Sequence, residues 1–250
     1  MNHISCSVVL YNPDYLLLDR VVSSVVDAFL VIKDRWSFSI DFVSNDGDCE
    51  NKELIKILDK YSSKNFYLRI LNPSRNVGYG SGNNLSIFSN RNSIFALVLN
   101  PDVILTGACL FECVNFMESN PSVSLLTPKV LDFDNNIQYL CKRNPTLIDM
   151  IVRAFDNKFI NYLFKNRISY YSMLDFDYQK NFTDVEYPTG CFMFFKYSDL
   201  IKVKGFDERY FLHYEDADIG RKISIISNIC YVASVVILHK WTRDSHKTWK

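Results

Sequence analysis

Three groups of residues in this chain have the types and spacing for chemistry. The first is Asn100-Pro101-Asp102, which follows the apolar run Ile94 to Leu99 and precedes Val103-Ile104-Leu105. A carboxylate at the end of a buried strand is costly in a core but well placed at the mouth of an open α/β sheet. There it suits a hard divalent cation such as Mg²⁺ or Mn²⁺, which takes oxygen ligands from one or two carboxylates and from substrate phosphates. The alternative is an Asx turn or helix cap. The second group is Asn76-Val77-Gly78-Tyr79-Gly80-Ser81-Gly82-Asn83-Asn84, which holds three of the eight glycines. Backbone N–H groups in such a turn approach phosphate oxygens, and Arg75 beside it can pair with one. A plain flexible loop is the competing reading. The turn is neither a dinucleotide fingerprint, because Asn83 stands where the third glycine belongs, nor a P-loop, because no Gly-Lys-Ser/Thr follows. The third group runs from Gly205 through Asp207-Glu208-Arg209 to Glu215-Asp216-Ala217-Asp218, acids interleaved with aromatics. Carboxylates in such a wall have raised pKa values and can serve as general bases. They also suit the first turn of a helix. His239 and His246 follow the last apolar run, where a lone histidine is more often a structural residue than a functional one.

These groups need elements to position them. Alternation or apolar runs predict strands at Ile4 to Tyr11, Phe38 to Val43, Phe66 to Leu71 and Ile94 to Leu99. Helical periodicity marks Tyr15 to Leu30, Lys52 to Tyr61 and Gly78 to Ser89. Alternating strands and helices with short connections imply an α/β fold with a mostly parallel sheet and helices on both faces. Ligands of such a sheet lie beyond the strand C-termini. The turns at 12–13, 45–47, 72–76 and 100–102 therefore converge on one edge. The second half is less regular. Helices are expected at Cys109 to Glu118, around Leu147 to Phe164, at Ser198 to Lys202 and at Asp216 to Ile226. Strands are expected at Val123 to Thr127, Cys191 to Phe195 and Cys230 to Leu238.

Composition narrows the class. The chain has 250 residues and a formal net charge of zero, so its bulk electrostatics does not indicate nucleic-acid binding. No apolar run approaches the ~20 residues of a membrane span. The start Met1-Asn2-His3-Ile4-Ser5 predicts no secretory leader. The seven cysteines are scattered, without a Cys-x-x-Cys pair, which favours free buried thiols in a cytoplasmic protein over disulfides or a zinc site.

Taken in order, the motifs resemble glycosyltransferase family 2 on a GT-A fold, closest to its bacterial rhamnosyltransferase-like branch. The matching stretches are Val8-Val9-Leu10-Tyr11-Asn12, Ser44-Asn45-Asp46-Gly47-Asp48, Arg75 to Asn84 and Leu99-Asn100-Pro101-Asp102. They continue with Pro188-Thr189-Gly190-Cys191-Phe192-Met193, Gly205 to Phe211, Glu215-Asp216-Ala217-Asp218 and His239. They span nearly the whole chain, leaving only Val130 to Asn181 unmatched. The resemblance implies one GT-A domain over 1–250, Rossmann-like, with a mixed sheet on the acceptor side. Residues 1–105 would bind the nucleotide-sugar, and 106–250 the acceptor and the catalytic group.

Roles follow from the resemblance. Asp102 would be the last acid of a DxD-type metal motif, with Asn100 in place of the first acid and beside the donor, and His239 would be the histidine near the metal. Tyr11, Asn12 and either Asn45 or Asp46 would line the nucleotide pocket. Asn76, Gly78 and Asn84 would border ribose and diphosphate. Asp216 would be the catalytic base, and Glu215, Asp207 and Glu208 candidate acceptor or donor contacts. The implied reaction is metal-dependent, inverting transfer from a dTDP- or UDP-sugar, such as dTDP-rhamnose, to a glycan. That glycan is expected to be lipid-linked, in synthesis of a bacterial surface polysaccharide such as O-antigen or capsule. The basic, aromatic tail from His239 to Lys250 suggests peripheral contact with the inner face of the cytoplasmic membrane; a solvated or dimer-contacting tail is the alternative. Competing readings are a sugar nucleotidyltransferase and a non-catalytic sugar-nucleotide binder. The first is disfavoured because Asn12-Pro13-Asp14 occupies the place of its glycine-rich loop.

Overall fold

The computed structural model describes residues 1–47, 50–155, 157–183 and 185–240. Asp48 of the second motif and the tail residues 241–250, with His246, lie outside that range.

The first half alternates as expected: β1 (Asn2–Leu10), α1 (Tyr15–Leu30), β2 (Trp36–Ser44), α2 (Lys52–Tyr61), β3 (Phe66–Leu71), α3 (Tyr79–Ser89) and β4 (Phe95–Leu99). Local chemistry sets the boundaries. Asp14 accepts hydrogen bonds from the N–H groups of Leu16 and Leu17, so α1 begins directly after it, at Tyr15. Asn51 caps α2 in the same way. β5 (Val103–Leu105), α4 (Cys109–Ser119) and β6 (Val123–Leu131) follow.

The segment expected to be helical around Leu147 to Phe164 is divided into α5 (Leu147–Phe155), α6 (Lys158–Leu163) and α7 (Lys165–Tyr171). The break has a local cause. Asn157 is extended, and its side chain accepts from the Phe159 N–H to start a new helix. The chain ends with β7 (Phe192–Lys196), α8 (Tyr197–Lys202), α9 (Glu215–Ser224) and β8 (Asn228–His239).

All eight strands form one sheet, in the order β3-β2-β1-β4-β7-β6-β8-β5. β3, β2, β1 and β4 are parallel; β7 enters antiparallel to β4, with Leu99 opposite Phe192. β6 pairs antiparallel with β7 and parallel with β8, and β5 closes the edge antiparallel to β8. The central strands are buried on both faces. Phe95, Leu97 and Leu99 of β4 join one core with α1 and α4, while Ala96 and Val98 join a second with α8 and α9. This two-residue alternation puts the cores on opposite faces of the sheet. Strand order reverses between β1 and β4, and a crevice opens at such a switch point beyond the strand C-termini.

One polar network is built into the first half. Asp41 on β2 is fully buried. It accepts from Arg69 Nε and Nη2 at 2.8 and 2.9 Å, from Ser86 Oγ at 2.8 Å and from Asn90 Nδ2 at 2.7 Å. These bonds tie β2, β3 and the end of α3 together. Removing the carboxylate takes this acceptor from all three donors, although Arg69 keeps Asn90 Oδ1 and Asn90 keeps the Ser86 carbonyl. Arg69 is partly exposed, so Asp41→Ala is expected to cost about 1–3 kcal/mol, read as a lower midpoint in urea unfolding.

Candidate active site

The turns after β1 and β2 meet at the crevice. The Asn12 N–H donates to Asp46 Oδ2 at 3.1 Å, and Ser44 Oγ donates to Asp46 Oδ1 at 2.7 Å. Asn12 has a left-handed φ of 49°, a conformation that asparagine tolerates. Tyr11 is exposed on the rim. The structure separates the two residues whose register the sequence left open. Asn45 is buried and spends its amide on the glycine turn, donating to the Gly78 carbonyl at 3.0 Å and accepting from the Val77 N–H at 3.4 Å. Asp46 is the one with its carboxylate at the rim.

The glycine-rich turn works differently from the phosphate cradle expected of it. Its first helical N–H, on Tyr79, is taken by the Phe211 carbonyl at 2.9 Å. Gly78 has φ 87°, and a Cβ there would lie 2.3 Å from that same carbonyl oxygen. A Cβ on Gly80 would lie 3.1 Å from Phe206 Cβ and one on Gly82 3.0 Å from Val9 Cγ2, so the neighbour would have to shift in each case. The glycines therefore let α3 press onto β1 and onto the 205–211 loop. Asn84 also departs from its expected place at the ribose or diphosphate. It is buried, accepts from the Phe206 N–H at 2.9 Å and donates to the Phe206 carbonyl at 2.9 Å and to Glu208 Oε1 at 3.2 Å. That clamp occupies Glu208. Asp207 is held by Arg209, which keeps its carboxyl well below the usual range. Both acids therefore organise their own turn. Asn76 accepts from the Gly78 N–H at 2.9 Å and, like Arg75, is exposed.

Asp102 and His239 come together across the β5–β8 edge, where Val103 pairs with His239. Asp102 Oδ2 lies 3.6 Å from His239 Nε2. Asp102 Oδ1 is buried and has no hydrogen-bond partner among the described residues. Burial raises the Asp102 pKa, and the imidazole partly offsets this. Burial lowers the His239 pKa, against the pull of Asp102. A neutral ring with Nδ1–H donating to Gln138 Oε1 at 3.2 Å leaves the Nε2 lone pair facing Asp102. An unpartnered carboxylate oxygen beside a neutral imidazole nitrogen fits Mg²⁺ or Mn²⁺. No set of three His, Cys, Asp or Glu side chains gathers as a metal site among the described residues. Any further ligands would come from a bound molecule or water. Asn100 is turned to the Tyr79 hydroxyl, 2.9 Å from its Oδ1; the same hydroxyl is 2.8 Å from the Gly190 carbonyl.

Asp216 stands at the start of α9. Two consecutive left-handed residues, His213 at φ 71° and Tyr214 at φ 68°, swing the chain into it. The segment before β7 lies between Asp216 and Asp102. A Cβ on Gly190 would be 3.0 Å from Asp216 Oδ2, and both carboxylates press their charge on the buried Cys191 thiol, whose pKa is pushed up to about 12, mainly by burial. Burial raises the Asp216 pKa; the Lys142 charge and a hydrogen bond from the Tyr187 hydroxyl oppose this. Lys142 and Tyr187 pair as an isolated antiparallel bridge, with the Lys142 ammonium 5.1 Å from the centre of the tyrosine ring. Sequence reasoning missed both, because Lys142 lies in the segment without motifs and nothing local marks either residue.

Glu215 is buried against Asp216, and its Oε2 has no hydrogen-bond partner among the described residues. Its pKa rises to about 7, from burial first and the Asp216 charge second.

No family model matches this chain. It is similar to the rhamnosyltransferase WbbL of Escherichia coli, at 26% identity over 176 residues, covering 67% of this chain and 62% of that relative. The chain thus spans about three fifths of the relative's length. Among solved structures, S. aureus TarS in complex with UDP-GlcNAc superposes with a TM-score of 0.62 at 15% identity, over 100% of this chain and 62% of that one. The mannosyltransferase PcManGT from Pyrobaculum calidifontis, in complex with GDP-Man and Mn²⁺, has a TM-score of 0.62 at 13% identity, over 98% of this chain and 59% of its own. The fold is that of the GT-A glycosyltransferases. The resemblance to glycosyltransferase family 2 carried by the motifs is borne out.

Glu215 generates a stability prediction. Its folded pKa of about 7 lies above its ordinary 4.5, so the folded state holds the proton more tightly. Stability is lost as pH rises from the lower value through the higher one. Glu215→Gln keeps the shape without the charge. It is expected to raise stability at pH 8, by on the order of 3 kcal/mol, and to leave it nearly unchanged at pH 4. Denaturant unfolding at the two pH values measures the difference.

Proposed function

We propose that this chain is an inverting, metal-dependent glycosyltransferase that transfers a sugar from a nucleoside-diphosphate donor to a hydroxyl of a glycan acceptor. The observation that carries the reading is the gathering of Asp102 with His239 and of Asp216 around Gly190-Cys191, at the crevice of a GT-A sheet. The first half, 1–105, would take the nucleotide, with Tyr11, Asn12 and Asp46 on its rim. The second half, 106–250, would present the acceptor to Asp216, the two halves making one domain.

Asp102 and His239 would hold the cation, which when bound neutralises the leaving diphosphate. Asp216 accepts the proton of the acceptor hydroxyl as that oxygen bonds to the anomeric carbon and the carbon–oxygen bond to the diphosphate breaks. Burial makes Asp216 a stronger base than a surface aspartate, while Lys142 and Tyr187 favour the ionised form that the step requires. The transition state has oxocarbenium character, so fixed carboxylates on the walls of the crevice favour it.

The relatives support the finer assignment by their chemistry. WbbL is a rhamnosyltransferase, and the two solved structures hold UDP-GlcNAc in one case and GDP-Man with Mn²⁺ in the other. We therefore place the donor among dTDP-rhamnose and UDP-sugars, and the acceptor among lipid-linked glycans of bacterial surface polysaccharide synthesis. The six described cysteines are all buried free thiols, which suits the cytoplasm. No described helix is long and apolar enough to cross a membrane.

Transfer assays with dTDP-rhamnose and UDP-sugars test the reading. Asp216→Asn is expected to lower turnover by about 10²–10⁴-fold, and Asp102→Ala to abolish the response to added Mn²⁺. Parent-like transfer by both variants overturns it.

A further inference from the structure

We infer that the outward face of α5 and α6 docks on the surface of an anionic lipid bilayer. A surface helix ordinarily turns its apolar stripe inward and its polar face to water. These two helices are reversed. In α5 the inward positions are Val152 and the acid Asp149, which is buried and bonded to Arg167 Nε at 2.7 Å and to Thr146 Oγ1 at 2.7 Å. Its outward positions, Ile148, Ile151 and Phe155, follow i, i+3, i+7 spacing. In α6 the outward positions, Phe159, Tyr162 and Leu163, follow i, i+3, i+4. All six are at least half exposed. α5, α6 and α7 pack on one another, so the two stripes belong to one helical cluster. A polar network thus anchors α5 while bulky apolar side chains face solvent. Exposed apolar surface of this extent marks an interaction site.

Charge identifies the occupant. The whole chain is neutral, yet the span of the three helices, Leu147 to Tyr171, carries Arg153, Lys158, Lys165 and Arg167 against Asp149 and Asp156, a net charge of +2. Arg167 pairs with Asp149, so by sequence Arg153, Lys158 and Lys165 stand against Asp156 in the rest of the span. The buried core of a protein–protein interface is depleted in lysine. A membrane-surface helix combines lysine or arginine with phenylalanine and leucine and lies with its apolar face about 5–10 Å into the headgroup boundary. Both halves of that signature occur here within one short segment.

The cluster also has a defined relation to the active site. It begins just after the Lys142–Tyr187 bridge, and the Tyr187 hydroxyl bonds to Asp216. Docking this face would set the crevice at a fixed height above the headgroups. The inference stands on exposure and charge and does not depend on the proposed reaction. It also differs from contact through the tail, because it places the apolar surface at 148–163.

The test is flotation of the full chain with phosphatidylcholine vesicles made with and without phosphatidylglycerol. The parent is expected to float with the anionic vesicles and to be released by salt. Phe155→Ser combined with Phe159→Ser is expected to lower partitioning about tenfold or more, with an unchanged melting temperature because both side chains are exposed. Lys158→Glu combined with Lys165→Glu is expected to remove the preference for anionic lipid. Three outcomes overturn the inference. The parent does not bind either vesicle; both double variants bind like the parent, which puts the contact elsewhere; or light scattering shows a parent dimer that the phenylalanine variant dissociates, which makes the face an interface between copies.

Discussion

The antiparallel ladder between β4 and β7 ends in a hydrogen bond from the Asn100 N–H to the Cys191 carbonyl, 2.9 Å long, and the acids of the site are spaced from that bond. On the β4 side the chain runs two residues further to Asp102. On the β7 side Gly190 precedes Cys191 and brings Asp216 within contact of its backbone. A side chain at 190 would push Asp216 away, so the glycine matters for the distance between two carboxylates. Tyr79 ties the same place to the glycine-rich helix through its hydroxyl. That hydroxyl has one proton for two acceptors; an Asn100 amide turned to donate to it would free the proton for Gly190. This gives the amide at position 100 a use that a carboxylate, which only accepts, would not match.

Much of the frame is legible in the sequence because its signals are local. The 2.0 and 3.6 periods mark β1 through β4 and their helices, and Asp14 and Asn51 announce two helix starts. The acids Asp102 and Asp216 stand out by type and by order along the chain. What escapes is what depends on distant partners. The glycines of the α3 turn read as a phosphate cradle because such a cradle and a tight helix–strand contact need the same residue. Only the presence of Val9, Phe206 and Phe211 distinguishes them. Asn84 likewise reads as a ligand contact until its bonds to Phe206, 122 residues away, are seen. Lys142 and Tyr187 meet through a two-residue bridge across an irregular segment and carry no periodicity at all.

Several features at the crevice oppose stability. Glu215 and Asp102 each bury a carboxylate oxygen without a hydrogen-bond partner among the described residues. His213 and Tyr214 hold the left-handed backbone region, at about 1–3 kcal/mol each. Elsewhere the buried acids are matched: Asp41 by Arg69, Asp149 by Arg167, and Asp199 by Ser124 and Lys202. Carboxylate oxygens left unmatched at the crevice suit a binding site, since a partner present in the fold already would have to be displaced.

The sheet itself limits how the molecule can move. Its eight strands are hydrogen-bonded from β3 to β5 without a gap, and the crevice lies at the joint between the parallel and mixed parts. Closing one part over the other as a rigid body would break the β4–β7 ladder, which is buried on both faces. Hinge motion is therefore closed to this architecture, and the opening and covering of the crevice fall to its loops. The segment 72–78 leads into α3, whose first residue, Tyr79, donates its backbone N–H to the Phe211 carbonyl of the segment 206–214, so that this contact links the two loops through the start of the helix.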